Sequence, residues 1–140
     1  MLVLASQCLD AVTWAPLRAS GVEVQIRTGD VDDPLAGVVR LVASGAHPLD
    51  VVVGKHRWQE TVLTRTRDAE IEGVRVPVAD PAGLTLLKLY AGGPQDLWDV
   101  TQLLTGPDRA AVIAVVEASL DALPAGCRSL WTRVLAPESA

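Results

Sequence analysis

Apolar and polar residues change their period along this chain, and the change divides it. Val22, Val24 and Ile26 alternate with Glu23, Gln25 and Arg27, which predicts a strand with one wet face. Val38 to Ala43 and Leu49 to Val53 are apolar runs separated by Ser44-Gly-Ala-His-Pro48, the pattern of a hairpin. Met1-Leu-Val-Leu-Ala5 reads as a further strand that begins at full hydrophobicity. Ser6 is placed to cap a helix through Leu9, Val12 and Leu17 to Gly21, with Pro16 kinking or ending it. Thr28 to Pro34 is a polar loop, and Gly54 to Asp68 has the spacing of a moderately amphipathic helix. Val74 to Val78 is a short strand that Pro77 consigns to an edge or an irregular end.

From Asp80 onward the period is helical. Helices are expected over Pro81–Ala91, Gln95–Thr105, Asp108–Leu123 and Ala125–Leu135, punctuated by Gly92-Gly93-Pro94, Gly106-Pro107 and Pro124. Asp80 can serve as N-cap with Pro81 at N1, and Gly92 suits the C-terminal stop. Strands first and helices after indicate an α+β fold. The expected arrangement is one domain over 1–140, with a small mixed sheet and flanking helices in 1–79 and a helical part in 80–140. No internal repeat or low-complexity tract interrupts it.

Composition narrows the picture. A chain of 140 residues, 49% of them apolar, is long enough for one globular core. With no Phe, that core must be filled by Val, Leu and Ala. The formal charge of −5 argues against a broad nucleic-acid footprint, although a local contact, or a nucleotide carrying its own metal, stays open. Cys8 and Cys127 lie at opposite ends in no ligand spacing, so two buried free thiols and a cytoplasmic setting are expected. Residues 1–10 lack the basic start of a signal peptide, and no stretch approaches a membrane span, so no membrane partner is expected.

Candidate chemistry gathers around Lys88, one of two lysines in the chain. At about 100° per residue it falls on the face of Leu84, Leu87 and Ala91, while Leu86 and Leu89 cover the opposite side. An ammonium on so apolar a helix must find an anion, reach solvent along its stem or lose its charge. Asp96 and Asp99 share a face of the following helix. Two readings stand for them. They complement the dipole in or near the first turn behind Pro94, or Asp96 meets Lys88 across the Gly-Gly-Pro corner. Asp50, at the head of an apolar strand, is a metal-binding carboxylate or the partner of Arg40, which a closed hairpin would set diagonally across from it. Asp30, Asp32 and Asp33 fall in a turn-rich loop and read as solvated.

Leu49-Asp-Val-Val-Val53, Gly73-Val-Arg-Val-Pro-Val78 and Asp80-Pro-Ala-Gly-Leu-Thr-Leu-Leu-Lys-Leu-Tyr-Ala-Gly-Gly-Pro-Gln-Asp-Leu-Trp-Asp99 together resemble nucleotidyltransferase-fold proteins of the abortive-infection toxin (AbiEii-like) type. The resemblance covers roughly residues 1–105 and is strongest over 73–104. It implies a small α+β domain that moves a nucleotide from an NTP to an acceptor, sometimes a tRNA end or a protein hydroxyl, with Mg²⁺ held by carboxylates. Carried over by position, Asp50 corresponds to an active-site carboxylate on the metal. Lys88 and Asp96 correspond to the catalytic pair facing the nucleotide, with Asp99 beside Lys88 in nucleotide contact. The family's Gly-Ser turn and Asp-x-Asp strand have no counterpart; Asp30-Val-Asp32 has the letters but lies in a loop. The expectation is an N-terminally truncated, impaired transferase. The alternative is a non-catalytic interaction module, antitoxin-like or scaffolding, with a protein partner or a second copy paired at an exposed sheet edge.

Overall fold

The computed structural model describes residues 1–136. The architecture is α+β. It consists of two compact units, Met1–Gln59 and Glu60–Ala140. Residues 66–79 fall in the second unit, with the helices.

The first unit is a four-stranded mixed sheet in the order β1 (Leu2–Val3), β4 (Leu49–Val53), β3 (Gly37–Val42), β2 (Glu23–Thr28). β1 runs parallel to β4 and the other neighbours are antiparallel. Residues opposite one another share a face, so Ile26, Val39 and Val51 form one row and Gln25, Arg40 and Asp50 another. The first of these faces is the core side, where Val39, Val51 and Val53 are fully buried. A Cβ on Gly37 would stand 2.6 Å from Leu9 Cδ2, which shows how closely the segment after β1 lies against the sheet.

That segment is not the capped helix expected from Ser6. Ser6–Leu9 and Ala11–Trp14 are 3-10 turns, and only α1 (Ala15–Ala19) is α-helical. Ser6 opens the first turn without capping it. Pro16 stands in the first turn of α1, where its missing N–H costs no bond, so it helps to start a helix where it was expected to end one. The turns are tied together by Trp14, whose indole N–H donates to the Cys8 carbonyl at 2.7 Å.

A second correction concerns residues 54–68. The helix there is short, α2 (Trp58–Thr64), and Thr66–Ile71 is a strand, β5, paired antiparallel with β6 (Val74–Ala79). The turn explains it. Glu72 and Gly73 both have positive φ, 50° and 78°, the two-residue conformation whose twist matches that of paired strands. Ile71 faces Val74 across the turn, and the Asp80 N–H donates to the Arg65 carbonyl at the far end (2.9 Å). In the alternation those bonds set, Pro77 opposite Asp68 occupies a non-bonded pair, so the ladder loses no donor to it.

The helices follow the expected punctuation. They are α3 (Pro81–Ala91), α4 (Pro94–Leu103), α5 (Arg109–Ser119) and α6 (Ala125–Leu135), with a 3-10 turn at Leu120–Ala122 that shortens α5 relative to the expected span. Asp80 caps α3 by accepting from the Gly83 N–H at 2.7 Å. Leu86, Leu89, Val100 and Val116 are fully buried. Cys127 is a buried free thiol as expected, whereas Cys8 is free and half-buried. Among the described residues no helix is long and apolar enough to cross a membrane.

The hairpin turn carries a removable strain, because a β-carbon at Glu72 disfavours the left-handed conformation. Glu72→Asn should raise unfolding stability by about 0.5–1 kcal/mol, read from urea denaturation, since Asn-Gly is the preferred pair in this turn.

Candidate functional site

Lys88 lies in the last turn of α3, four residues before the stop. Gly92 ends that helix with φ of 68°, and its N–H donates to the Lys88 carbonyl at 2.9 Å. Gly93 follows in extended conformation, and Pro94 opens α4. A Cβ at Gly93 would stand 3.0 Å from Asp96 Oδ2, a tight contact with the end of that side chain. That same oxygen accepts the Gly93 N–H at 3.2 Å, so Asp96 satisfies one of the free donors at the start of its helix.

The two carboxylates of α4 close on the ammonium of α3. Lys88 Nζ lies 2.9 Å from Asp96 Oδ1 and 2.7 Å from Asp99 Oδ2. Asp99 uses its other oxygen to accept from Gln95 Nε2 at 3.0 Å. The three side chains are about three-quarters buried, with 28%, 24% and 28% exposure in the order Lys88, Asp96, Asp99. Both readings of the acids thus hold together in Asp96, which caps its own helix and meets Lys88.

The electrostatics follow from the contacts. Hydrogen bonds first to Asp99 and then to Asp96 hold the Lys88 ammonium above its ordinary pKa of 10.5. The bond from Lys88, then that from Gln95, holds the Asp99 carboxyl below its ordinary 3.8. Lys88 is therefore a fixed cation and no general base, since a lysine that accepts protons near neutrality needs the opposite shift. One positive and two negative charges leave the cluster with a net −1.

Asp50 has a different setting. It stands in β4 directly opposite Arg40 of β3, where the sequence suggested a diagonal relation; the register of the hairpin makes the pair direct. The separation is 3.5 Å, with both side chains 49% exposed. Arg40 and Asp50 line a hollow on the polar face of the sheet with Gln25, Arg27 and Val38. In the loop before β3, Asp30 Oδ1 accepts from the N–H groups of Asp32 (2.9 Å) and Asp33 (3.1 Å), a local turn network like that expected of a solvated loop.

A two-metal phosphoryl-transfer centre needs several carboxylate oxygens converging on each ion. Among the described residues no group of three or more His, Cys, Asp or Glu converges in that way. Asp50 faces an arginine, and Asp96 and Asp99 share a lysine. These residues do not fit the Mg²⁺ centre that the resemblance implies.

Two arginines escaped the sequence reading because their segment was taken for helix. Arg65 Nη2 meets Asp80 Oδ2 at 2.8 Å, and Arg67 Nη2 meets Asp108 Oδ2 at 3.1 Å. The signal for them in the sequence is weak, since Gly73 suits a turn but Glu72 before it is not the Asn or Asp that marks a tight hairpin.

No family model matches the sequence, and no curated protein matches it. The site must speak through its own geometry.

The two shifted groups set a pH window. Asp99, with its pKa depressed on folding, contributes stability above about 3.8 that is lost as pH falls through the lower folded value. Lys88, with its pKa raised, contributes stability below about 10.5 that is lost as pH rises through the higher folded value. Melting curves against pH should show Asp99→Asn flattening the acid-side decline and leaving the neutral plateau lower. An acid limb identical to that of the parent chain would remove Asp99 from the linkage.

Proposed function

We propose that the chain is a nucleotidyltransferase-like domain of the toxin–antitoxin kind, carrying the nucleotide-facing cluster of that fold in Lys88, Asp96 and Asp99. Transfer of a nucleotide from an NTP to an acceptor would depend on carboxylates beyond those the described residues bring together. One feature supports the reading above all. The residues on which the resemblance rests, separated by the Gly-Gly-Pro corner, converge on a single ammonium. Lys88 keeps its proton and is partly open to solvent, so a phosphoryl oxygen can take over one of its hydrogen bonds. Asp99 is the partner suited to yield, because Gln95 still donates to its other oxygen.

A second reading, a non-catalytic interaction module, is favoured by a specific observation. β5 and β6 form a sheet of two strands, so each has one side free of any strand neighbour among the described residues. At the other sheet, β1 pairs only two residues with β4 and forms an edge, the place at which pairing with a second copy was expected.

Thermal unfolding with each NTP, alone and with Mg²⁺ or Mn²⁺, tests the first reading. Ligand at about 100 times its Kd should add roughly 2.7 kcal/mol, a rise of several degrees for a chain of this size. Lys88→Ala should abolish the rise while keeping the far-ultraviolet spectrum, whereas Asp99→Asn, which removes the carboxylate competing for Lys88, should preserve or enlarge it. A metal-dependent rise that Asp50→Asn removes would give Asp50 the metal-holding role. No shift with any nucleotide would overturn the nucleotide reading and leave the interaction module.

A further inference from the structure

The β5–β6 hairpin has an unusual distribution of surface. Arg67 and Val78, Ala69 and Val76, and Ile71 and Val74 are opposite pairs on one face. Thr66 and Ala79, Asp68 and Pro77, and Glu70 and Arg75 share the other. No residue of either strand is buried, and Ile71 and Val74 remain 56% and 60% exposed on the more apolar face. Two strands with an uncovered apolar face are only marginally stable in water, and a third strand is the ordinary remedy.

The edges are not equivalent. The bonded pairs Ile71–Val74, Ala69–Val76 and Arg67–Val78 turn the backbone groups of Thr66, Asp68 and Glu70 outward from β5, and those of Arg75, Pro77 and Ala79 outward from β6. Pro77 has no N–H to offer, so β6 lacks a donor in the middle of its outer edge. β5 keeps all its donors. Its outward positions also bear Asp68 and Glu70, and by register Asp68 faces only Pro77 within the hairpin.

These features decide among occupants. A second copy pairing antiparallel on β5 would set the Asp68 and Glu70 positions against the same acids, and like charges directly opposite are destabilising. A strand with basic residues at alternate positions would meet Asp68 and Glu70 on one face. Its intervening apolar residues would extend the surface of Ala69 and Ile71 on the other. We infer that the outer edge of β5 is a docking site for an extended segment of a partner protein in which lysine or arginine alternates with β-branched apolar residues, added as a third strand beside Thr66–Ile71.

The proposal goes beyond the nucleotide reading and stands without it. Its test is amide hydrogen exchange of the full chain with an octapeptide of alternating lysine and valine, against one of alternating glutamate and valine. The basic peptide should protect the amides of Thr66, Asp68 and Glu70 and bind at least about tenfold more tightly than the acidic one. Asp68→Lys combined with Glu70→Lys should invert that preference. Asp68→Pro removes an outward donor and no ladder bond, and should abolish docking while the hairpin amides of Ala69 and Val76 stay protected. Equal binding of the two peptides, or protection confined to other elements, would overturn the proposal. So would protection of the β5 amides that rises with protein concentration alone, which would make the occupant a second copy. None of these variants touches Lys88, Asp96 or Asp99, so nucleotide-dependent melting separates this failure from failure of the nucleotide reading.

Discussion

An ammonium shared by two carboxylates can hold two helices at a fixed corner only if the backbone lets the charges approach, and here three consecutive residues supply that freedom. Gly92 turns the chain out of α3 through a left-handed conformation, Gly93 leaves room for Asp96, and Pro94 starts α4 with its φ already set. Asp96 then does two things with its two oxygens, accepting the Gly93 N–H and the Lys88 ammonium. The corner and the ion pair are therefore one device. Loosening the backbone would loosen the charges, and removing the lysine would leave two partly buried acids without their counter-ion.

The same arrangement limits the chemistry of the cluster. A lysine that both neighbours hold protonated is a fixed positive charge already engaged by two carboxylates, and its raised pKa runs against proton abstraction. Asp50 lives under looser conditions, across from Arg40 on a half-exposed sheet face where solvent weakens the attraction. The two acidic locations differ in rigidity as well as in partner, although the sequence presents both as an aspartate beside an apolar run.

Elements whose ends are marked by residues with a single backbone meaning were legible from the chain alone. Asp80, Pro81 and Gly92 bound α3 as their chemistry requires, and α6 has the expected limits. β5 was hidden for a physical reason. None of its residues is buried, so no hydrophobic period marks it, and its turn carries Glu72 where Asn or Asp would have announced a hairpin. The 3-10 turns after β1 were hidden by a serine that suits a cap without acting as one. The Lys88–Asp96 contact could be foreseen because both residues border the same corner. The share taken by Asp99 required knowing how the second helix presents its second turn to α3. Arg40 was placed diagonal to Asp50 because the register of a hairpin depends on its loop, and Ser44 to Pro48 does not dictate one.

Pro77 has a meaning beyond the pairing of its own strand. A hairpin that could accept a neighbour equally well on both sides would pass the same invitation on through every newcomer, the elementary step of a growing fibril. Here one flank has a gap in its row of donors and the other bears acids that repel a copy of themselves. Edge-to-edge growth is hindered at both flanks of this ribbon. A single imino acid, silent within its own ladder, thus helps to keep an exposed sticky ribbon from becoming a seed.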